Sequence, residues 1–321
     1  MEFDTKKIKM FSMVGSRATF GLLMYELASQ MNDLMVVTAD VSTSAGLDRY
    51  RKKFTDKYLD VGIAEQNMIS IAAGLASEGF NTVTTTFAPF QTMRCLEQIK
   101  VNLGYMKNKV TMVGLASGLV LGPLGFTHCS IEDLSIIRSI PNIKVLSPCD
   151  CLETAKCVLA AINSKESTYI RLTGSSNAPQ VYKEDYEFNI GDPIEINSGE
   201  DVTVFATGPS VSNVIKANEL LNKSNIFLNI VNVHTLKPIN TEMIKNYIKK
   251  SKIIFTVEEH TIVGGLASAI AEINSFAGTQ VKHVPIAIPN VYGKGGNYDF
   301  LVNKNKLDSN SIAERVKNEL N

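Results

Sequence analysis

Short apolar runs alternate with helical patterns along the first part of the chain. The runs are rich in Val, Ile and Leu and are continuous rather than alternating, which is typical of strands covered on both faces in a parallel sheet. They lie at residues 34–40, 82–87, 110–117, 143–148 and 167–172. Helical patterns at 20–31 and 151–164 lie between them. This alternation predicts a doubly wound α/β domain.

The pattern lapses between Asn177 and Glu200, where Pro, Asn, Asp and Glu dominate, and such a segment indicates a domain boundary. A second alternation follows, with strands predicted at 201–208, 227–233, 252–259 and 282–286 and helices predicted at 212–222, 241–250 and 264–275. We therefore predict two doubly wound α/β domains, residues 1–178 and residues 200–321, joined by a linker at 179–199.

The segment YLDVGIAEQNMISIAAGLASEGF, residues 58–80, carries the first candidate for chemistry. Apolar and small residues cover much of the circumference of its helix, which predicts a buried helix. Glu65 falls in the first turn, at the carboxyl end of the preceding strand, where open α/β sheets bind ligands. A helix dipole alone also favours an acid in a first turn. The periodicity leaves both interpretations of Glu65 open.

Aromatic and imidazole side chains supply further candidates. Phe87 and Phe90 stand at the end of a predicted strand and could form a slot for a flat ring, or could pack in the core. His128 follows a glycine-rich loop at 118–125, and a loop histidine is a candidate for proton transfer. The segment GKGGNY at 293–298 is a weak phosphate-loop signal, and a plain turn is the favoured interpretation.

Composition limits the class of protein. Lys and Arg together number 32, as do Asp and Glu, so no general basic field attracts nucleic acid or membrane. No run approaches the ~18–20 apolar residues of a membrane helix, and the N-terminus lacks a signal-peptide pattern. The five cysteines favour free thiols in a reducing compartment, and the spacing of Cys149, Cys151 and Cys157 does not indicate a metal site. We expect a cytoplasmic protein.

Taken in order, several motifs resemble the transketolase family of thiamine-diphosphate enzymes, specifically its C-terminal half. This half is a pyrimidine-binding domain followed by a smaller C-terminal domain. The motifs cover nearly the whole chain: IAEQNM with AAGLA and EG, TTFAPF, THCSIEDLSIIRSIPN with SPCD, YIRL, and EEHTIVGGLASAIAE. The resemblance implies a transferase of carbohydrate metabolism that moves a two-carbon ketol unit from a ketose to an aldose, with thiamine diphosphate and Mg²⁺ or another divalent cation.

The resemblance also implies roles for residues that contact the cofactor. Glu65 matches the glutamate that hydrogen-bonds N1′ of the aminopyrimidine ring and so promotes the tautomer that activates the cofactor. Phe87 and Phe90 match aromatic residues that stack on that ring. Asp40 matches a structural acid near the pyrimidine site.

A second group of residues matches family positions that contact the sugar substrate. His128 matches a histidine that handles hydroxyl protons during C–C cleavage. Arg17 and Arg171 match arginines that hold the sugar phosphate through their paired donors. Ser44 matches a phosphate-contacting serine, and Ser42 could take its place.

Two departures from the family pattern concern the sugar site. Leu124 stands where transketolases usually have an acid before the histidine, and Ala116 or Ser117 stands where a further family histidine is expected. The predicted site is therefore less polar than that of a housekeeping transketolase. The donor and acceptor sugars stay open, and a deoxygenated or nucleotide-linked sugar is one possibility.

The GDG motif that binds the diphosphate and its metal in this family does not occur in the sequence. We therefore expect a partner subunit that carries this motif, an α2β2 heterotetramer, and no metal ligand from this chain. Three alternatives remain open: a subunit similar to 1-deoxyxylulose-5-phosphate synthase, one similar to a 2-oxoacid dehydrogenase β chain, and a non-catalytic partner.

Overall fold

The computed structural model describes residues 1–174 and 178–320. The strands of the first domain are β1 (Leu34–Thr38), β2 (Tyr58–Asp60), β3 (Asn81–Phe87), β4 (Val110–Leu115), β5 (Ile143–Leu146) and β6 (Ser167–Arg171). Its helices are α1 (Thr5–Val14), α2 (Ser16–Ala28), α3 (Asp48–Lys53), α4 (Glu65–Ser77), α5 (Ala88–Gln91), α6 (Leu96–Gln98), α7 (Asp133–Arg138) and α8 (Cys151–Ile162). Short 3₁₀ turns at Thr55–Lys57 and Gly122–Leu124 and a π-helical stretch at Ile99–Tyr105 complete it.

The rest of the chain repeats the alternation. Its strands are β7 (Ile194–Asn197), β8 (Val202–Ala206), β9 (Asn229–Asn232), β10 (Thr235–Lys237), β11 (Ile253–Thr261) and β12 (Lys282–Ile288). Its helices are α9 (Ser210–Asn222), α10 (Thr241–Lys250), α11 (Leu266–Phe276), α12 (Tyr298–Lys304) and α13 (Ser309–Leu320). We call this part the second domain.

Two sheets organise these elements, as the apolar runs predict. The first sheet has the order β10-β5-β6-β4-β3-β1-β2, and the second has the order β12-β11-β8-β9-β7. All neighbours pair in parallel except β10 with β5 and β7 with β9. Every residue of β4, β6, β8 and β11 is buried, because helices cover both faces of a parallel sheet. The prediction of two α/β domains is confirmed.

Strand β10 belongs to the second half of the sequence but completes the first sheet. Thr235 and Lys237 pair antiparallel with Leu146 and Val145 of β5. One apolar cluster also spans both domains and contains Leu134, Ile137, Phe205, Val231 and Leu266, among others. The two domains therefore share a strand and a core. The predicted linker at 179–199 gives no indication of this connection.

Helix α4 differs from its prediction. Met68, Ile69, Ala72 and Ala73 are buried, whereas the opposite face, which includes Ser70, is exposed. The prediction of a fully buried helix is wrong for this chain, because small residues such as Ala and Gly count as apolar in a periodicity but can face either side.

Other features of the described chain bear on the sequence expectations. The five cysteines are buried free thiols. In residues 1–174 and 178–320, no group of three or more His, Cys, Asp or Glu residues is arranged to hold a metal ion. None of the helices in these same residues combines the length and the hydropathy that crossing a membrane requires.

Candidate active site

Glu65 stands where the turn after β2 enters α4. Asp60 fixes this turn, because its Oδ1 accepts hydrogen bonds from the backbone N–H groups of Gly62 and Asp40, each at 3.0 Å. Gly62 has a φ of 70°, a conformation that glycine adopts without strain. The Glu65 side chain is only 4% exposed. The turn therefore delivers a buried carboxylate to the carboxyl edge of the first sheet.

Arg94 is the partner of this carboxylate. Its Nη1 donates to Glu65 Oε1 at 2.6 Å, and its guanidinium lies 4.0 Å from the centre of the Phe90 ring. The ring of Phe90 in turn meets the imidazole of His128 edge-on, with centroids 5.6 Å apart. Glu65, Arg94, Phe90 and His128 thus form one continuous group of contacts, in which three residues were predicted and Arg94 was not.

The contacts of Arg94 test whether a planar nitrogen heterocycle fits this place. A guanidinium is flat and carries N–H groups along its edge. Here it directs one N–H group to the Glu65 carboxylate and covers the face of Phe90. An aminopyrimidine ring bound by the same two residues needs the same combination of an in-plane hydrogen bond and a stacked face. The residues present therefore fit such a ring.

Phe87, three residues before Phe90, is half-buried and packs against the core of the first domain. It is also the residue that precedes α5, so its backbone leads the chain out of β3 toward Phe90. Its predicted stacking role stays a prediction.

His128 lies on the loop formed by residues Gly118–Ser130, which we call the His128 loop. Gly118 and Ser130 close this loop through two mutual backbone hydrogen bonds, at 2.8 and 3.1 Å. His128 is half-buried, and its Nδ1 lies 3.0 Å from Thr127 Oγ1. The helix predicted to begin near Ser130 begins at Asp133.

Arg17 and Ser44 line a shallow cavity of about 250 Å³ together with Gly15, Thr43 and Gly174. The two residues come from α2 and from the turn after β1, which are held close because Gly21 packs directly against Gly46. A Cβ on Gly21 would lie 2.1 Å from the Gly46 carbonyl oxygen. Ser42 is buried, at 4% exposure, so Ser44 is better placed than Ser42 to reach a ligand in this cavity.

Asp40, which the family resemblance places near the pyrimidine site, is exposed and has a φ of 56°. Its backbone N–H donates to Asp60.

Arg171 does not join these residues. Its side chain is 1% exposed, and its Nε donates to both carboxylate oxygens of Asp133 at 3.1 and 2.9 Å. Its Nη2 donates to the carbonyl oxygens of Ser130 and Glu259, at 3.1 and 2.8 Å. These internal partners do not fit the predicted phosphate-binding role, because a buried guanidinium that donates inward has no open face for a ligand. Arg171 instead connects the end of the His128 loop to β11 through its hydrogen bonds to Ser130 and Glu259.

A more enclosed cavity lies elsewhere. It measures about 460 Å³, opens between the two domains, and is lined by Ser16, Thr154, Lys216 and Tyr298, among others. Glu65, Phe90 and His128 are not among its lining residues. Enclosure does not identify the candidate site, because a site completed by another subunit is an open surface in one chain.

Two family models match this chain and cover most of it. The model of the transketolase pyrimidine-binding domain matches residues 12–178, and that of the transketolase C-terminal domain matches residues 193–312. The chain belongs to the transketolase family.

Individual transketolase relatives match nearly from end to end. A Methanocaldococcus jannaschii protein, provisionally named as a transketolase C-terminal section, is 35% identical over 95% of this chain and 96% of its own length. An apulose-4-phosphate transketolase subunit of Phocaeicola vulgatus is 33% identical over 87% of this chain and 90% of its own. A solved structure described as a split gene transketolase, inactive beta4 tetramer, is 30% identical with a TM-score of 0.84 and covers 95% of this chain and 97% of that one. Over most of its length the chain corresponds to the C-terminal subunit of a split transketolase.

Proposed function

We propose that this chain supplies the pyrimidine-binding half of a transketolase active site and works only with an N-terminal partner subunit. The complex would transfer a two-carbon ketol unit from a ketose or ketose phosphate to an aldose. The observation that carries the proposal is the set of contacts that joins Glu65, Phe90 and His128 at one edge of the first sheet.

Glu65 and Phe90 would hold the aminopyrimidine ring of thiamine diphosphate, and Phe87 and Asp40 would border it. When bound, this cofactor supplies the carbanion chemistry that C–C bond cleavage requires. Glu65 would share a proton with N1′ of the ring, and its burial at 4% exposure keeps water from competing for that proton. Arg94, which donates to the Glu65 carboxylate in this structure, would release it to N1′.

His128 would exchange a proton with a substrate hydroxyl. Its Nδ1 is 3.0 Å from the Thr127 hydroxyl, so Nε2 is the nitrogen left to face a substrate. A histidine is suited to this work because its imidazole can both accept and donate a proton.

The cavity of Arg17 and Ser44 would take the phosphate of the substrate, because it combines a guanidinium with a hydroxyl at an open surface. Leu124, 59% exposed before His128, replaces an acid that transketolases use for a sugar hydroxyl. We therefore propose a sugar phosphate that differs from the usual transketolase donors near this position. The relative that acts on apulose-4-phosphate supports a search among such sugars.

The partner subunit would carry the GDG motif and thereby supply the ligands of the diphosphate and of Mg²⁺ or another divalent cation. Two copies of each subunit would form an α2β2 complex in the cytoplasm. The near end-to-end match to a split-gene transketolase chain supports a two-chain enzyme.

Co-expression of this chain with such an N-terminal subunit tests the proposal. We expect the purified complex to transfer ketol units from ketose phosphates when thiamine diphosphate and magnesium are present, and each subunit alone to be inactive. The Glu65→Gln complex is the matched control for contaminating activity. Decarboxylation of pyruvate with an aldose phosphate acceptor would favour the synthase-like alternative instead. Full turnover by this subunit alone would refute the two-chain enzyme.

A further inference from the structure

A glycine-rich segment of the second domain lies directly against the His128 loop. Gly296 of the segment 291–298 donates its backbone N–H to the carbonyl oxygen of Gly122, at 3.0 Å. A Cβ on Gly295 would lie 2.8 Å from the same oxygen, and a Cβ on Gly122 would lie 2.5 Å from the Gly296 oxygen. The two backbones thus touch at a place where neither loop has room for a side chain.

Aromatic contacts extend this junction toward His128. Phe126, two residues before His128, packs against Tyr292 with ring centroids 5.9 Å apart. Gly293 lies beneath the same ring, since a Cβ there would be 3.3 Å from Phe126 Cε2. A hydrogen bond to Glu132 raises the pKa of Tyr292. The segment therefore contacts the loop just before His128.

A buried carboxylate fastens the start of the loop to the same segment. Glu259 Oε1 accepts a hydrogen bond from the backbone N–H of Leu119 at 2.8 Å, and its Oε2 accepts from the Tyr298 hydroxyl at 2.5 Å. A Cβ on Gly118 would lie 2.0 Å from Oε1. Burial raises the pKa of Glu259. The second domain thus holds the beginning and the middle of the His128 loop, up to Phe126.

The loop needs such external support because its outer residues contribute little packing. Leu124 is 59% exposed, Pro123 and Thr127 are exposed, and the backbone bonds of His128 and Cys129 run only to Gly125 within the loop. A loop with local bonds alone samples several conformations, whereas proton transfer requires an imidazole fixed near its target.

We propose that the segment 291–298 of the second domain positions His128 for the substrate proton transfers, with Gly295, Gly296 and Tyr292 as positioning residues. The second domain thereby acts on the sugar-handling steps of the reaction and not on activation of the cofactor. This inference rests on the proposed function, in which His128 contacts the substrate.

The substitution Gly295→Ala tests the inference. The φ of Gly295 lies outside the left-handed region, so the new methyl group acts only by pushing on the Gly122 carbonyl. In the complex with the N-terminal subunit we expect kcat to fall about 10- to 100-fold. Proton exchange at C2 of bound thiamine diphosphate stays unchanged, because Glu65 and Phe90 are not displaced. In the isolated chain, amide hydrogen exchange across residues 119–130 becomes faster.

Two further variants keep the test decisive. Lys294→Ala changes an exposed side chain of the same segment and is expected to leave loop exchange unchanged. Tyr292→Ala removes a side chain that is 72% exposed, so this variant should fold even if Gly295→Ala does not. It should also show the faster amide exchange in the loop.

Normal loop exchange with normal kcat in both the Gly295 and the Tyr292 variants would overturn the inference. Equal losses of turnover and C2 exchange would also overturn it. A wild-type complex without transketolase activity would refute the proposed function, while the exchange measurements would still report on the junction.

Discussion

Glu65 is the residue on which the proposed chemistry depends, and its surroundings explain how the fold tolerates it. An isolated carboxylate at 4% exposure is costly, and the Arg94 guanidinium satisfies it at 2.6 Å. The same guanidinium covers Phe90. The proposed pyrimidine half-site thus combines a buried acid with a balancing positive charge.

Glu65→Gln is expected to leave the fold and assembly intact, because the amide keeps the shape of the carboxyl and can still accept from Arg94. Turnover of the complex should fall by about 100-fold or more, since the amide cannot share a proton with N1′. Steady-state kinetics and the thermal midpoint measure the two effects. A normal rate of cofactor C2 proton exchange in the variant would contradict the assignment.

Arg94→Ala is expected to destabilise the isolated chain by about 1–3 kcal/mol, because it leaves the buried carboxylate without its donor. Urea unfolding measures the change. The control is Arg51→Ala, which breaks the exposed pair with Asp48 and should cost less than about 1 kcal/mol. Equal effects from the two substitutions would show that the Glu65–Arg94 pair does not hold the site.

At the scale of elements, the sequence predicts the strands that a local apolar pattern determines, but not the contacts between residues far apart in the chain. The apolar runs predict the parallel strands β1, β3, β4, β5 and β6, and the ends of each run agree with those of its strand to within a few residues. Strand β10 was missed, because three residues carry no periodicity and its partner β5 lies far back in the chain. Arg94 was missed for the same reason: it meets Glu65 across 29 residues, and only the fold brings them together. Arg171 carried a family signal, but its burial depends on Asp133, which no local pattern reveals.

Helix α2 and the turn before α3 make an element-scale prediction. Gly21→Ala would place a methyl group 2.1 Å from the Gly46 oxygen, which forces the helix and the turn apart and should cost about 1–3 kcal/mol. Gly74→Ala in α4 is the matched control, because nothing lies within 4 Å of its Cβ and alanine is the better helix former by about 1 kcal/mol. Urea midpoints of the isolated chain measure both. A stabilising Gly21→Ala would show that α2 does not need this close approach.

For the whole molecule, buried ionisable groups set the pH dependence of stability. Desolvation raises the pKa of Glu153 and of Glu258 to about 7. Folding thus favours their protonated forms, and this contribution is lost as pH rises through 7. Desolvation lowers the pKa of His234, His260 and His283 to about 4, so the folded chain keeps them neutral and loses stability as pH falls below their ordinary value of 6.5.

These opposing shifts predict a narrow optimum. The carboxyl and histidine contributions offset each other below about pH 6.5, and of these five groups only the two carboxyls titrate between about pH 6.5 and 8. We expect the urea midpoint of the isolated chain to fall as pH rises across that window. Glu258→Gln should flatten this fall, because its amide does not ionise. An unchanged slope in the variant would rule out Glu258 as a source of the pH dependence.

Strand β10 has a mechanical consequence. After β9 the chain leaves the second sheet, forms β10 at the edge of the first sheet and returns to the second domain through α10. Strand β10 therefore ties the two domains together. A hinge rotation between them would have to strip this strand from β5 and open the shared apolar core. We therefore expect the two domains to move together as one unit.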